Sequence, residues 1–151
     1  MNFLRDIGNL RKIKFIPLRY HKVIEGDFQY NFLVLHQGFF HIQTGFTNRS
    51  LIPISDSTIE QFNILDLNIV TKDKNGAGRI LNGYKKIRTS WHLIYSLYKD
   101  CDVDFKNRVL FIVLKFKDGK ESLITIERKN LKIFNKGMGI QCGLSKWADF
   151  Y

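Results

Sequence analysis

Glu127 and Lys129 flank a single residue at the end of an apolar, strand-like run in the segment ITIERKNLKIF, residues 124–134. That Glu-x-Lys spacing is one some metal-dependent nucleases use, so it is the first place to look for chemistry. The glutamate would need an upstream aspartate able to share a metal ion with it, because magnesium takes carboxylate and water oxygens at about 2.1 Å. Asp118 falls at a hairpin tip, further from the glutamate, so the upstream acids to consider are Asp104 and Asp102, which makes Asp104, Glu127 and Lys129 the candidate catalytic trio.

The element that must position this pair is a hairpin. RVLFIVLKFKDGKESLITIER contains two β-type runs joined by Asp118-Gly119. Asp-Gly between alternating apolar runs is the strongest short hairpin signal, since a type I′ turn needs positive φ at both central positions. A two-residue turn pairs Lys117 with Lys120, Glu127 with Leu110 and Lys129 with Arg108. Glu127 and Lys129 then share a face with Leu110, Ile112, Leu114 and Leu123. None of these can ligate magnesium. Asp104 lies six residues from Leu110, or about 20 Å along an extended strand at roughly 3.3 Å per residue.

Glu-Arg-Lys also resembles the ERCC4-type nuclease motif. That pattern expects an aspartate four positions beyond the lysine, where Ile133 stands, and an upstream Gly-Asp, present here only as the reversed Asp118-Gly119. The sequence therefore disfavours the nuclease and reads the motif as a strand end, its charges in solvent or paired across to Arg108. There is no Gly-x-Ser-x-Gly, no Walker-type phosphate loop and no His-Glu-x-x-His. The four histidines stand at no zinc-site spacing. His36 and His41 are expected on the two strands of a hairpin, and Cys101 and Cys142 as buried free thiols. No metal and no cofactor are expected.

Charge carries more information than any motif. The chain has 24 basic and 14 acidic side chains, net +10. Residues 1–25 are net +4, 26–70 net −3, 71–100 net +5 and 101–136 net +4. Folding can gather such segments into a polarised surface that favours an anionic partner: nucleic acid, a phospholipid headgroup or an acidic protein face. With 151 residues and 44% hydrophobic content, the expectation is a single domain spanning 1–151 with a real core. The longest clean apolar run, Val109 to Leu114, is far short of the roughly 20 residues of a membrane helix. No signal-peptide core is visible at the N-terminus, so a cytoplasmic location is expected.

Along the chain, Phe3, Leu4, Ile7 and Leu10 have helical spacing, and Lys12 to Tyr20 alternates like a strand interrupted at Pro17. DFQYNFLVLHQGFFHIQTG reads as two strands turning near Gln37-Gly38, LIPIS as a short strand, IEQFNILDLNIV as a strand and TKDKNGAG as a loop. Then the period changes. Ile80, Tyr84, Ile87, Trp91, Ile94 and Tyr98 step by four and three, one stripe of an amphipathic helix over about 78–99. Lys85, Arg88, His92 and Lys99 gather on one flank of that stripe, at roughly 100° per residue. With Arg79 and Lys86 they form a candidate anion-binding ridge centred on Lys85, Lys86 and Arg88. Tyr84, Trp91, Tyr95 and Tyr98 are interleaved with it and are of types that stack on bases. The tail, with its glycines from Gly137 on, does not read as a continuous helix.

The fold class expected is α+β, mainly an antiparallel bent sheet or small barrel with that one long helix. NFLVLHQGFFHIQTGFTNRSLIPISDSTIEQF resembles the opening meander of bacterial pleckstrin-homology-like domains, and VLFIVLKFKDGKESLITI is similar to their late hairpin. The matching parts are residues about 29–60 and 107–126. Residues 65–104 would then be an insertion, and the closing C-terminal helix of that family is not evident. The resemblance implies a bent sheet used as a binding platform. Function is accordingly read as a non-enzymatic basic module docking on an anionic partner, nucleic acid favoured. The alternatives are a protein-interaction or inhibitor protein meeting an acidic or nucleic-acid-binding partner, and a metal-dependent nuclease. Peripheral binding to an anionic membrane is a variant of the first reading.

Overall fold

Strands form where branched and aromatic residues alternate, and they turn where the backbone can adopt positive φ. The computed structural model describes residues 13–17, 19–45, 50–66, 74–88, 94 and 107–140. Its strands are β1 (Ile13–Phe15), β2 (Lys22–Gly26), β3 (Phe32–His36), β4 (Phe39–Thr44), β5 (Ser50–Pro53), β6 (Ile59–Leu65), β7 (Val109–Phe116) and β8 (Glu121–Glu127). Helix α1 (Lys74–Asn82) lies between β6 and β7 in sequence, and α2 (Leu131–Gly137) follows a 3-10 turn at Arg128–Asn130. The strand order is β5-β4-β3-β2-β8-β7-β6, with β1 also pairing β3. All pairings are antiparallel, and the sheet curls into a half-barrel. A sheet-dominated α+β architecture is therefore observed.

β2 joins two meanders, β2–β5 and β6–β8, because it pairs β3 on one side and β8 on the other. Its register against β8 shifts between Val23 and Glu25, and it ends at Gly26 with φ 89°. The Gly26 conformation is needed sterically as well. A Cβ there would collide with the Glu121 carbonyl and come within 2.9 Å of Ile87 Cδ1.

The β3–β4 turn lies at Gln37 and Gly38, with φ of 54° and 82°, and places His36 on β3 and His41 on β4 as expected. The β7–β8 hairpin differs from expectation by one residue. Lys115 pairs Glu121 and Val109 pairs Glu127, so Glu127 faces Val109 rather than Leu110. The loop is a three-residue one. Gly119 N–H donates to the Phe116 carbonyl at 3.0 Å, and Phe116 N–H donates to the Lys120 carbonyl at 2.7 Å. Only Gly119 takes positive φ, at 93°, because the Asp118 carboxylate instead accepts from the Lys120 N–H at 3.1 Å. This is a type I turn closed by a glycine bulge. A one-residue slip exchanges the faces of a strand.

Both faces of β7 and β8 are covered. Leu110, Ile112, Leu114, Phe116, Ile124 and Ile126 point into the curl, where they meet Leu33, Phe40, Ile42 and Ile64. Phe111, Val113 and Leu123 point the other way, onto Leu65, Ala77, Leu81, Tyr84, Ile87 and Ile94. This explains an uninterrupted apolar run where a one-sided strand would alternate. Helix α2, absent from the sequence reading, closes the curl by burying Leu131 and Phe134 in the first core. Phe134 meets Phe62 edge to face at 5.0 Å.

The continuous helix over 78–99 is not formed. α1 begins at Lys74, inside the stretch read as a loop, and stops at Asn82. Gly83 and Tyr84 donate back to Ile80 and Leu81, three residues earlier, which tightens the last turn and ends it. The buried stripe is Ala77, Leu81, Tyr84 and Ile87, with Ile80 only partly buried against it. Helical spacing of apolar residues thus continues past the helix itself. Residues 1–12, 89–93, 95–106 and 141–151 lie outside the described residues, and with them Trp91, His92, Tyr95, Tyr98, Lys99, Cys101, Asp102, Asp104 and Cys142.

Candidate functional site

Each residue of Glu-Arg-Lys, and Asn130 after it, has a structural partner. Glu127 is buried and pairs with exposed Lys129 at 3.0 Å, neither facing solvent as a free charge nor reaching across to Arg108. Arg128 holds Asp66 with both terminal nitrogens, one at 2.8 Å, and donates from Nε to the Asn107 carbonyl at 2.9 Å. The Glu127 N–H and the Asn130 side-chain amide both meet His21 Nε2, at 3.2 and 3.0 Å. His21 is fully buried, and its Nδ1 lies 3.1 Å from the Pro17 carbonyl. A carbonyl only accepts, so Nδ1 carries the proton and Nε2 is the acceptor, which fixes a neutral imidazole. Burial holds its pKa below the usual value, against the Pro17 bond and Glu127, which pull it up; Lys129 adds to the lowering. The motif ties the end of β8 to the chain before β2. Among the described residues no three His, Cys, Asp or Glu side chains group as metal ligands.

Of the cations expected as a ridge, Lys85, Lys86 and Arg88 lie at the opposite end of β8. Once α1 has ended, residues 84–88 run across the start of that strand in irregular conformation. The Lys86 N–H donates to Glu121 Oε1 at 3.0 Å, and the Arg88 N–H to Glu25 Oε1 at 2.7 Å. A hydrogen bond to a charged group contributes about 1.5–3 kcal/mol, against about 0.5–1.5 kcal/mol for a typical one. Between them Ile87 is buried, while Lys85, Lys86 and Arg88 are exposed. Lys86 Nζ pairs with Asp27 at 2.9 Å, and the same Asp27 oxygen accepts the Glu121 N–H at 2.9 Å. Partial burial raises the Asp27 pKa, but Lys86, the Glu121 N–H and Lys120 outweigh it and hold the carboxyl below its ordinary value. Tyr84 is buried and donates to Asn63 Oδ1 at 2.7 Å; burial, helped by Glu121, pushes its pKa up to about 12. It is therefore unavailable for stacking on a base.

The loop that carries Asp27 has a second feature. Phe28 and Tyr30 take φ of 66° and 73°, a left-handed conformation that for bulky residues is a genuine outlier. Each such residue costs of order 1–3 kcal/mol. The loop is held by its own bonds. Asn31 N–H and Nδ2 donate to the Phe28 carbonyl at 3.2 and 2.9 Å, Tyr30 N–H to Val23 at 3.3 Å, and Gln29 Nε2 to Ile24 at 3.2 Å. Phe28 gains packing in return, edge-on to Phe116 at 5.7 Å with the Lys120 ammonium 5.8 Å from its ring. Tyr30 gains none: at 88% it is the one exposed large hydrophobic residue among those described. Tyr30 lines a cleft of about 340 Å³ together with Lys22, Val23, Ile24, Asn31 and Phe32.

Of the six expected anion-binding residues, the structure places Lys85, Lys86 and Arg88 together on one pinned segment. Arg79 is exposed in the last turn of α1. His92 and Lys99 lie outside the described residues. The carboxylates that fix this segment, Glu25, Asp27 and Glu121, were not foreseen, nor was Tyr30. The partners of these carboxylates are 35 to 94 residues away in sequence, so no local signal could have found them. Compared with protein-family models, with curated proteins and with solved structures, the chain shows no significant match. Among the described residues no helix is long and apolar enough to cross a membrane.

Proposed function

We propose that this protein is a non-enzymatic binding module that docks a basic face on an anionic macromolecule, with nucleic acid as the favoured class. The observation that carries the reading is the segment 84–88. The Lys86 and Arg88 N–H groups are bonded to the carboxylates of Glu121 and Glu25, so Lys85 and Arg88 stand exposed on a backbone already fixed. A face ordered before binding loses less entropy on docking. Lys86 is partly compensated by Asp27, which leaves Lys85 and Arg88, with Arg79 nearby in sequence, as the centre of the surface. The nuclease reading finds no support in Glu127 and Lys129, which pair with each other.

The resemblance to bacterial pleckstrin-homology-like domains belongs to the same proposal. A four-stranded meander, a three-stranded meander and a helix directly after the last strand support it. The test is charge reversal at Lys85 and Arg88 together, read by fluorescence anisotropy with labelled single- and double-stranded DNA and RNA. Loss of wild-type binding in the variant is the expected result. Undiminished binding would place the contact elsewhere. Failure of the wild type to bind any probe would overturn the reading in favour of a protein partner, and a shortened probe would restore the nuclease.

A further inference from the structure

We infer that the basic face takes single-stranded nucleic acid, with Tyr30 as the platform on which one unpaired base stacks. This rests on the nucleic-acid reading above and adds the strand class and the residue that selects it. A large aromatic side chain exposed to 88% contributes almost nothing to the core, yet its backbone is held at a φ of 73° in a loop tied by hydrogen bonds within itself and to β2. Strain that the surrounding structure imposes without a packing return points to function. Tyr30 lines a cleft with Lys22, Val23, Ile24, Asn31 and Phe32, which offers apolar surface beside a stacked base and a cation to its phosphate. Asp27 in this same loop bridges to Lys86 and accepts the Glu121 N–H, which joins the loop to the basic segment.

Stacking on an exposed ring is tolerant of sequence, because every base has a π-face. It also requires a base out of its pair, which a duplex does not offer. Tyr30 therefore discriminates strand state, while Lys85 and Arg88 serve both. The experiment compares the full-length wild type, Tyr30→Ala, Tyr30→Phe and the Lys85→Glu/Arg88→Glu variant on a single-stranded oligonucleotide and a blunt duplex at one salt concentration. Tyr30→Ala should weaken single-strand binding by about 5- to 150-fold, the effect of losing one base–aromatic stack. It should leave duplex binding and the melting temperature unchanged, since the side chain is exposed, and Tyr30→Phe should restore the affinity. If Tyr30→Ala binds single strands like the wild type while the charge variant loses both probes, the stacking inference falls and the basic-face reading stands. If the wild type binds neither probe, both fall together.

Discussion

Replacing Glu121 by alanine should loosen the segment that presents Lys85 and Arg88. The Glu121 side chain is buried and its Oε1 accepts the Lys86 N–H at 3.0 Å. A hydrogen bond to a charged group contributes about 1.5–3 kcal/mol, and a buried donor left without a partner costs about 1–3 kcal/mol. Lys86 is exposed, so water can reach part of the freed backbone, and the two figures do not add in full. A net loss of about 1.5–3 kcal/mol is expected. For a chain of this length that lowers Tm by about 3–12 °C. Glu121→Gln keeps an acceptor oxygen and should cost less than half as much. Amide hydrogen exchange adds a local readout: Lys86 should lose protection in the alanine variant, whereas the β7 amides should keep theirs relative to global stability. Unchanged Tm together with unchanged Lys86 protection would refute the claim that this carboxylate fixes the segment.

Acid should destabilise the fold before its carboxylates titrate. His21 and His41 are both held below the usual imidazole value, chiefly by burial, against backbone bonds to Pro17 and Phe39 that pull them up. Between those lowered values and about pH 6.5 the unfolded chain binds more protons, so the stabilisation is complete above about pH 6.5 and fades as pH falls through the folded values. The slope is at most about 1.4 kcal/mol per pH unit for each histidine. Urea midpoints followed from about pH 8 to 5 should show it, and His21→Gln should flatten it. Gly26→Ala should cost about 2–5 kcal/mol, because left-handed strain adds to a clash with the Glu121 carbonyl and Ile87. Gly38→Ala, at φ 82° but with nothing within 4 Å of the new Cβ, should cost only the strain, about 1–2 kcal/mol. Equal melting temperatures for the two variants would contradict the close approach at Gly26.

Hairpins were readable because alternation and turn residues are local properties. The β3–β4 turn at Gln37-Gly38 and strands β5 and β6 fell where the pattern put them. The β7–β8 register was missed by one residue for a reason no pairing rule contains: the Asp118 carboxylate finds the Lys120 N–H, and only Gly119 goes left-handed. β2 escaped notice because it is defined by its pairing with β8, about a hundred residues away. The stripe through Tyr84 and Ile87 was read correctly as buried and wrongly as continuous helix. Burial follows the spacing of apolar residues, whereas the helix yields to Gly83 and to the carboxylates of Glu25 and Glu121. The cations at 85, 86 and 88 were legible from composition. The strained Tyr30 was not, since no local rule sends a tyrosine to positive φ.

The most direct test of a fixed basic face docking on phosphate is the salt dependence of wild-type binding to a labelled single-stranded oligonucleotide. Each neutralised phosphate contributes roughly 0.7 to the slope of log K against log salt on single strands. Two to four contacts among Arg79, Lys85, Lys86 and Arg88 therefore give a straight line of slope between about −1.4 and −2.8. A slope in that range, reduced by about 1.4 on reversing Lys85 and Arg88, is the predicted result. Binding that ignores salt, or no binding at low salt, would contradict it.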